Sequence, residues 1–343
     1  MGRTISMADA INEAMKLAMR KDENVLLLGE DVAGGAQVDH LQDDEAWGGV
    51  LGVTKGLVQE FGRERVLDTP ITEAGYVGAA MAAASTGLRP IAELMFNDFI
   101  GSCLDQVLNQ GAKFRYMFGG KAKVPITIRT THGAGFRAAA QHSQSLYALF
   151  TAIPGIKVVV PSTPYDAKGL LLKAIEDDDP VIFFEDKTLY NMTGEVPEDY
   201  YTISFGEADI KREGSDITIV AIGKMVQVAL TAADQLAEKG IQAEIVDPRS
   251  LSPLDEDTIL ASVSKTNRVV VIDEANPRCS MATDIAALVA DKGFDLLDAP
   301  IKRITAPHTP VPFSPPLEDI YLPTPEKVVQ VVSELLGENA LSV

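Results

Sequence analysis

The sequence has little sulfur, little histidine and no excess of positive charge, and each shortage excludes something. Two cysteines in 343 residues, Cys103 and Cys279, lie far apart in apolar surroundings. They offer neither a disulfide framework nor a metal-ligand spacing, and they fit a reducing cytoplasm. Thirty Lys and Arg stand against 49 Asp and Glu, a net charge of −19. Nucleic acid and anionic membranes are therefore excluded as partners, because phosphate binding needs a basic stripe. A basic protein partner suits this surface better. There is no apolar run long enough for a membrane span or a signal peptide, and the opening MGRTISMADAINEAMKLAMRKDEN reads as an amphipathic helix. Met1-Gly2 followed by Ser6 fits the myristoylation pattern, a match short enough to arise by chance. The Walker loop, H-E-x-x-H, G-x-S-x-G and Cys/His clusters are all missing.

What is there is a chain with 46% hydrophobic content, enough for two domains with real cores. Short apolar runs at Asn24–Leu28, Pro90–Phe96, Val124–Thr130, Lys157–Val160 and Val181–Phe184 alternate with helical spacings. This predicts an α/β fold with a mostly parallel sheet over residues 1–190. A polar stretch at 191–206 reads as a linker. From Ile217 a second β/α alternation begins, giving a second α/β domain over 207–343. Its PHTPVPFSPP segment is expected to be an extended arm. Residues 32–52, rich in Gly and Asp and holding the single Trp47, read as a long ordered loop.

One carboxylate stands apart. In TPITEAGYVGAAMAAASTGLRPIAELMFNDFI, residues 69–100, Glu73 is followed by no charge until Arg89. Thr72 can cap a helix that holds Glu73 in its first turn, and the Gly and Ala residues after it predict a helix apolar all round, hence buried. On a surface, Glu73 would only complement the helix dipole, an effect of about 0.3–1 kcal/mol. In an apolar packing surface its pKa would rise, as it does for acids at functional sites. Two more candidates belong to the same edge of a parallel sheet, its carboxyl end: Glu30, closing the first strand, and His142, in AAAQHSQS after a glycine loop. That loop, Gly133 to Ala138, fits G-x-G-x-x-A of a dinucleotide fold. The next strand, however, ends in Pro161 and Ser162 with no acid for a ribose, so the dinucleotide reading is set aside.

The motifs GED at 29–31, DTPITEAGYVGAAMAAASTGLRPIAELMFNDF, AAQHSQS, PGIKVVVPSTPYDAKGLL and DPRSLSPLD resemble, over nearly the whole chain, the beta subunits of the thiamine-diphosphate-dependent 2-oxo-acid dehydrogenases. HLQDDEAWGGVLGVTKGL and APHTPVPFSPPLED are similar to the acetoin dehydrogenases within that group. The resemblance implies a pyrimidine-binding domain followed by a transketolase C-terminal-like domain. It implies that Glu73 bonds the pyrimidine nitrogen of the cofactor and drives its imino tautomer, with Glu30 as the supporting acid. Ile71, Met95 and Phe99 would line the ring, and His142 would stand near the reacting carbon. It also implies a potassium site at Ile126, Ala174, Ile175, Asp177 and Asp179. No G-D-G with a downstream Asn is present, so magnesium and the diphosphate are expected on an alpha subunit, in an α2β2 oxidoreductase that passes its acyl unit to a lipoyl acyltransferase. The rival readings are a pyruvate or branched-chain 2-oxo-acid dehydrogenase beta subunit, and a non-catalytic assembly subunit.

Overall fold

A computed structural model describes residues 2–34 and 47–337. Most of the loop read at 32–52, and the start of HLQDDEAWGG, lie outside the described residues. The chain divides into two compact units, Met1–His132 with Leu149–Phe205, and Gly133–Ala148 with Gly206–Val343. The stretch Gly133–Ala148, read as part of the first domain, thus groups with the second unit.

In the first unit, β1 (Gly2–Ser6) pairs antiparallel with β8 (Thr193–Pro197), so part of the stretch read as a linker is strand. Helix α1 (Met7–Lys21) is capped by Ser6, whose hydroxyl accepts from the Asp9 N–H, and it buries Met7, Ile11, Met15 and Met19 at i, i+4 spacing. The sheet strands are β2 (Val25–Gly29), β3 (Val66–Asp68), β4 (Arg89–Phe96), β5 (Thr127–His132), β6 (Lys157–Val159) and β7 (Val181–Asp186). They run parallel in the order β6-β7-β5-β4-β2-β3. Between them lie α2 (Leu57–Phe61), α3 (Glu73–Ser85), α4 (Ile100–Asp105), α5 (Ala112–Met117), α6 (Tyr147–Thr151) and α7 (Pro164–Glu176). Between α4 and α5 the chain makes a π-helical turn at Gln106–Gly111.

Helix α3 corrects two expectations. Thr72 occupies the N-cap position, but its hydroxyl bonds the Pro70 carbonyl rather than the helix. Nor is the helix buried all round: Tyr76, Val77, Ala80, Met81 and Ala84 face the core, while Ala74, Gly75, Ala79 and Ala82 are exposed. A uniformly apolar sequence gave no sign of which face stays open.

The second unit is a sheet in the order β14 (Lys302–Thr305), β13 (Val269–Asp273), β10 (Ile217–Ala221), β11 (Ala243–Asp247), β9 (Asp209–Arg212), with only β9 antiparallel. Strand β12 (Ser250–Ser252) and helices α8 (Met225–Ala237), α9 (Glu256–Thr266), α10 (Met281–Lys292), α11 (Pro315–Tyr321) and α12 (Pro325–Leu335) complete it. Its core joins Val226, Ala229 and Leu236 of α8 to Val328 and Val332 of α12 over β10 and β11. The proline-rich arm is irregular only as far as Ser314. Pro315 and Pro316 then open α11, since a proline in the first helical turn loses no hydrogen bond.

Candidate active site

Glu73 is the first residue of α3 and is half-buried. Ser102 Oγ in α4 lies 3.2 Å from Glu73 Oε2 and 2.8 Å from the Phe99 carbonyl oxygen, which ties the acid to the segment after β4. Glu30 follows β2 directly and is 8% exposed, with Oε1 buried and without a partner. Burial pushes its pKa up to about 6, and the fields of Glu73, Asp31 and Glu93 add to the rise. Gly29 makes this crowding possible. A Cβ there would stand 2.9 Å from Glu93 Cβ and 3.0 Å from the Glu93 carbonyl oxygen, so only glycine lets the end of β2 come this close to β4.

Glu93 in turn belongs to a buried charge network that sequence reasoning missed. Arg129 Nη1 donates to Glu93 Oε2 at 2.7 Å, while its Nε and Nη2 donate to the two oxygens of Glu185 at 2.7 and 2.8 Å. The Tyr190 hydroxyl adds a bond to Glu185 Oε2 at 2.7 Å. Burial raises the Glu93 pKa and Arg129 works against the rise. Tyr76, on the buried face of α3, donates its hydroxyl to the Glu93 carbonyl oxygen at 3.1 Å. The available signal was a guanidinium inside the otherwise apolar VPITIRT strand.

The apolar candidates lie close to the acids in sequence. Ile71, two residues before Glu73, is 80% exposed. Met95 and Phe99 are half-buried at the carboxyl end of β4, where the Phe99 ring meets Phe96 edge-on at 5.6 Å. The structure therefore groups Glu30, Glu73 and Glu93, with Phe99 joined to Glu73 through Ser102. His142 belongs to the second unit and is half-buried, with its N–H bonded to the Ala139 carbonyl. The loop before it is held down within that unit. The buried Glu318 of α11 accepts from the Gly135 N–H at 2.6 Å and from Arg137 Nη1 at 2.9 Å, and Lys224 bonds the Ala134 carbonyl. A carboxylate on the glycine N–H takes the place a phosphate would need, which removes the dinucleotide reading of this loop. A cavity of about 270 Å³ lies beside it, lined by Ser143, Gln144, Asn276, His308 and Tyr321.

Of the five positions expected to hold potassium, Ile175, Asp177 and Asp179 bond cationic side chains of the chain itself, while the Ile126 and Ala174 carbonyls accept backbone N–H groups. Arg89 bonds the carbonyls of Ile175 and Asp177, Lys157 bonds the Asp177 and Asp179 carboxylates, and the Ile126 carbonyl accepts from Val181.

Residues 3–193 match the transketolase pyrimidine-binding domain and residues 206–328 the transketolase C-terminal domain. Over 342 residues the chain is 82% identical to the acetoin:2,6-dichlorophenolindophenol oxidoreductase subunit beta of Bacillus subtilis (strain 168), covering all of both chains. The chain belongs to the transketolase-type beta subunits of the acetoin and 2-oxo-acid dehydrogenases. It is 44% identical to the pyruvate dehydrogenase E1 component subunit beta of the same organism, over 97% of this chain and 98% of that one. Among solved structures, a split gene transketolase described as an inactive beta4 tetramer superposes with a TM-score of 0.76 at 23% identity, over 97% of this chain and 98% of that one, and shares the fold. Two residues thus acquire a setting within this family: Glu73 heads a helix of the pyrimidine-binding domain, and His142 lies in a segment of that domain that packs with the second unit.

Proposed function

We propose that this chain is the beta subunit of a thiamine-diphosphate-dependent oxidoreductase that cleaves acetoin. The observation that carries the substrate is the 82% identity over the full chain to an acetoin oxidoreductase subunit, against 44% to a pyruvate dehydrogenase subunit. The site agrees with it. Acetoin is neutral and needs no cation for a carboxylate, and two arginines close in sequence to the candidate residues are ion-paired elsewhere: Arg129 to Glu93 and Glu185, Arg137 to Glu318 and Asp319.

The residues fit an aminopyrimidine. Such a ring wants an apolar bed with one acid at its edge, and Ile71, Met95 and Phe99 around Glu73 provide those parts. Bound, the cofactor supplies a nucleophilic carbon able to attack a carbonyl. The chain supplies proton traffic and orientation. Glu73 holds or accepts the proton at the pyrimidine nitrogen, with Ser102 fixing its carboxylate. Glu30, with a pKa of about 6, can carry a proton beside it near neutral pH. His142 serves as a second proton donor. Diphosphate and magnesium fall to an alpha subunit, because this chain has no G-D-G pattern to hold them.

An α2β2 assembly accounts for the open small-residue face of α3, which a neighbouring subunit can approach closely. The enzyme works in the cytoplasm, where two unpaired cysteines stay reduced. Among the described residues no helix is long and apolar enough to cross a membrane. The net charge of −19 suits docking on a basic domain of a lipoyl acyltransferase, and that binding weakens as salt rises; salt-insensitive binding refutes it. The half-site reading is tested by titrating thiamine diphosphate and magnesium into the isolated chain. Little binding is expected, rising when the alpha subunit is added, and micromolar affinity for the chain alone contradicts the division of labour.

A further inference from the structure

We propose that Arg89 and Lys157 do, at the end of α7, the work of a potassium ion, so that this subunit takes no monovalent cation there. The last carbonyls of a helix have no partner within it and carry its negative dipole end, so they need a cation or a donor. Helix α7 ends at Glu176 with Asp177 as its C-cap. One atom, Arg89 Nη1, stands 3.2 Å from the Ile175 carbonyl oxygen, 3.2 Å from that of Glu176 and 3.0 Å from that of Asp177. Three carbonyl oxygens converging on one positive nitrogen is the arrangement in which carbonyl rings replace the hydration shell of potassium.

The other ligands have donors of their own. The Ile126 carbonyl accepts the Val181 N–H at 3.0 Å and the Ala174 carbonyl the Asp177 N–H at 3.3 Å. Lys157 Nζ bridges the Asp177 and Asp179 carboxylates at 2.5 and 3.3 Å, and Asp179 also takes Arg115 at 2.8 Å. Asp178 is bound by Arg89 at 2.7 Å and by Lys123 at 2.6 Å. Three carboxylates are thus faced by four cationic side chains. An added ion brings a fifth positive charge and must displace the Arg89 guanidinium to reach the carbonyls. Because Arg89 opens β4, these bonds pin the end of α7 to the sheet with a cation that cannot dissociate.

The test is independent of substrate and cofactor. Thermal unfolding of the full chain is followed in potassium chloride and in choline chloride at equal ionic strength. The wild type is expected to unfold at the same temperature in both. Arg89→Met is expected to unfold at a lower temperature in choline and to gain about 3 °C or more from potassium, as a vacated site takes up the ion. A saturable, potassium-specific rise in the wild type overturns the proposal by itself, and so does a folded Arg89→Met that gains nothing. Should Arg89→Met not fold, Arg89→Gln, which keeps a donor but no charge, is read by the same criterion.

Discussion

Replacing Arg129 with Met should be among the most damaging single changes in the first unit. The Arg129 and Glu185 side chains are 2% and 1% exposed, and Glu93 is 15% exposed. The substitution removes three charge-assisted hydrogen bonds and leaves two carboxylates facing each other without a cation. Breaking a buried pair from one side costs about 3–5 kcal/mol, whereas an exposed pair costs about 1 or less. For a unit of this size that lowers the unfolding midpoint by about 10 °C. Glu93 already has its pKa raised by burial, and without Arg129 it rises further. An acid with a raised pKa adds stability below its unfolded value and loses it as pH rises through the folded value, so the variant should be less impaired at mildly acidic pH than at pH 8. Adding Glu93→Gln and Glu185→Gln removes the stranded charges and should restore most of the loss. The assay is thermal unfolding by circular dichroism. A loss under about 1 kcal/mol, or no recovery in the triple variant, refutes the assignment of this network as a buried, compensated unit.

Three further outcomes follow from the site. Glu73→Gln in the reconstituted enzyme should lower turnover by at least ~10²-fold with the fold intact, and wild-type rates would remove Glu73 from the proton path. Glu30→Gln should stabilise the chain by about 1 kcal/mol at pH 8, half the value that a rise from 4.5 to about 6 allows, once screening is discounted. Since the raised acid loses its stabilising contribution as pH rises from 4.5 through 6, the advantage of Gln should shrink over that window on acidification, and a pH-independent difference argues against the shift. Glu318→Ala leaves the Gly135 N–H without its acceptor and takes one partner from Arg137, which keeps Asp319 and the Pro315 carbonyl, a loss of about 2 kcal/mol. Hydrogen exchange at Gly135 should accelerate, and unchanged protection would mean that α11 does not hold the loop.

The alternation of short apolar strands with helical spacings carried the α/β architecture, because a strand buried on both faces shows as a continuous Val/Ile/Leu run. The isolation of Glu73 likewise marked its place at the head of α3. Other features depend on partners far away in sequence. Thr72 looks like a cap, but whether its hydroxyl turns to the helix or to Pro70 is decided by the loop before it. The open face of α3 is invisible in a run of Gly and Ala. The five potassium positions could be read from the resemblance, but that Arg89 reaches the same carbonyls follows from β4 starting beside the end of α7, a tertiary fact. The prolines of PHTPVPFSPP point to an extended arm throughout, yet in a first turn proline is a helix starter, and Pro315 opens α11.

Joined to an alpha subunit with thiamine diphosphate and magnesium, this chain is proposed to form an enzyme for acetoin. The direct measurement is kcat/KM of the reconstituted complex for acetoin and for pyruvate, with 2,6-dichlorophenolindophenol as electron acceptor. With Arg129 and Arg137 both ion-paired rather than turned to a substrate carboxylate, the enzyme should favour acetoin by ~10²-fold or more. Equal efficiency with pyruvate would contradict the substrate while leaving the acids of the first unit in their roles.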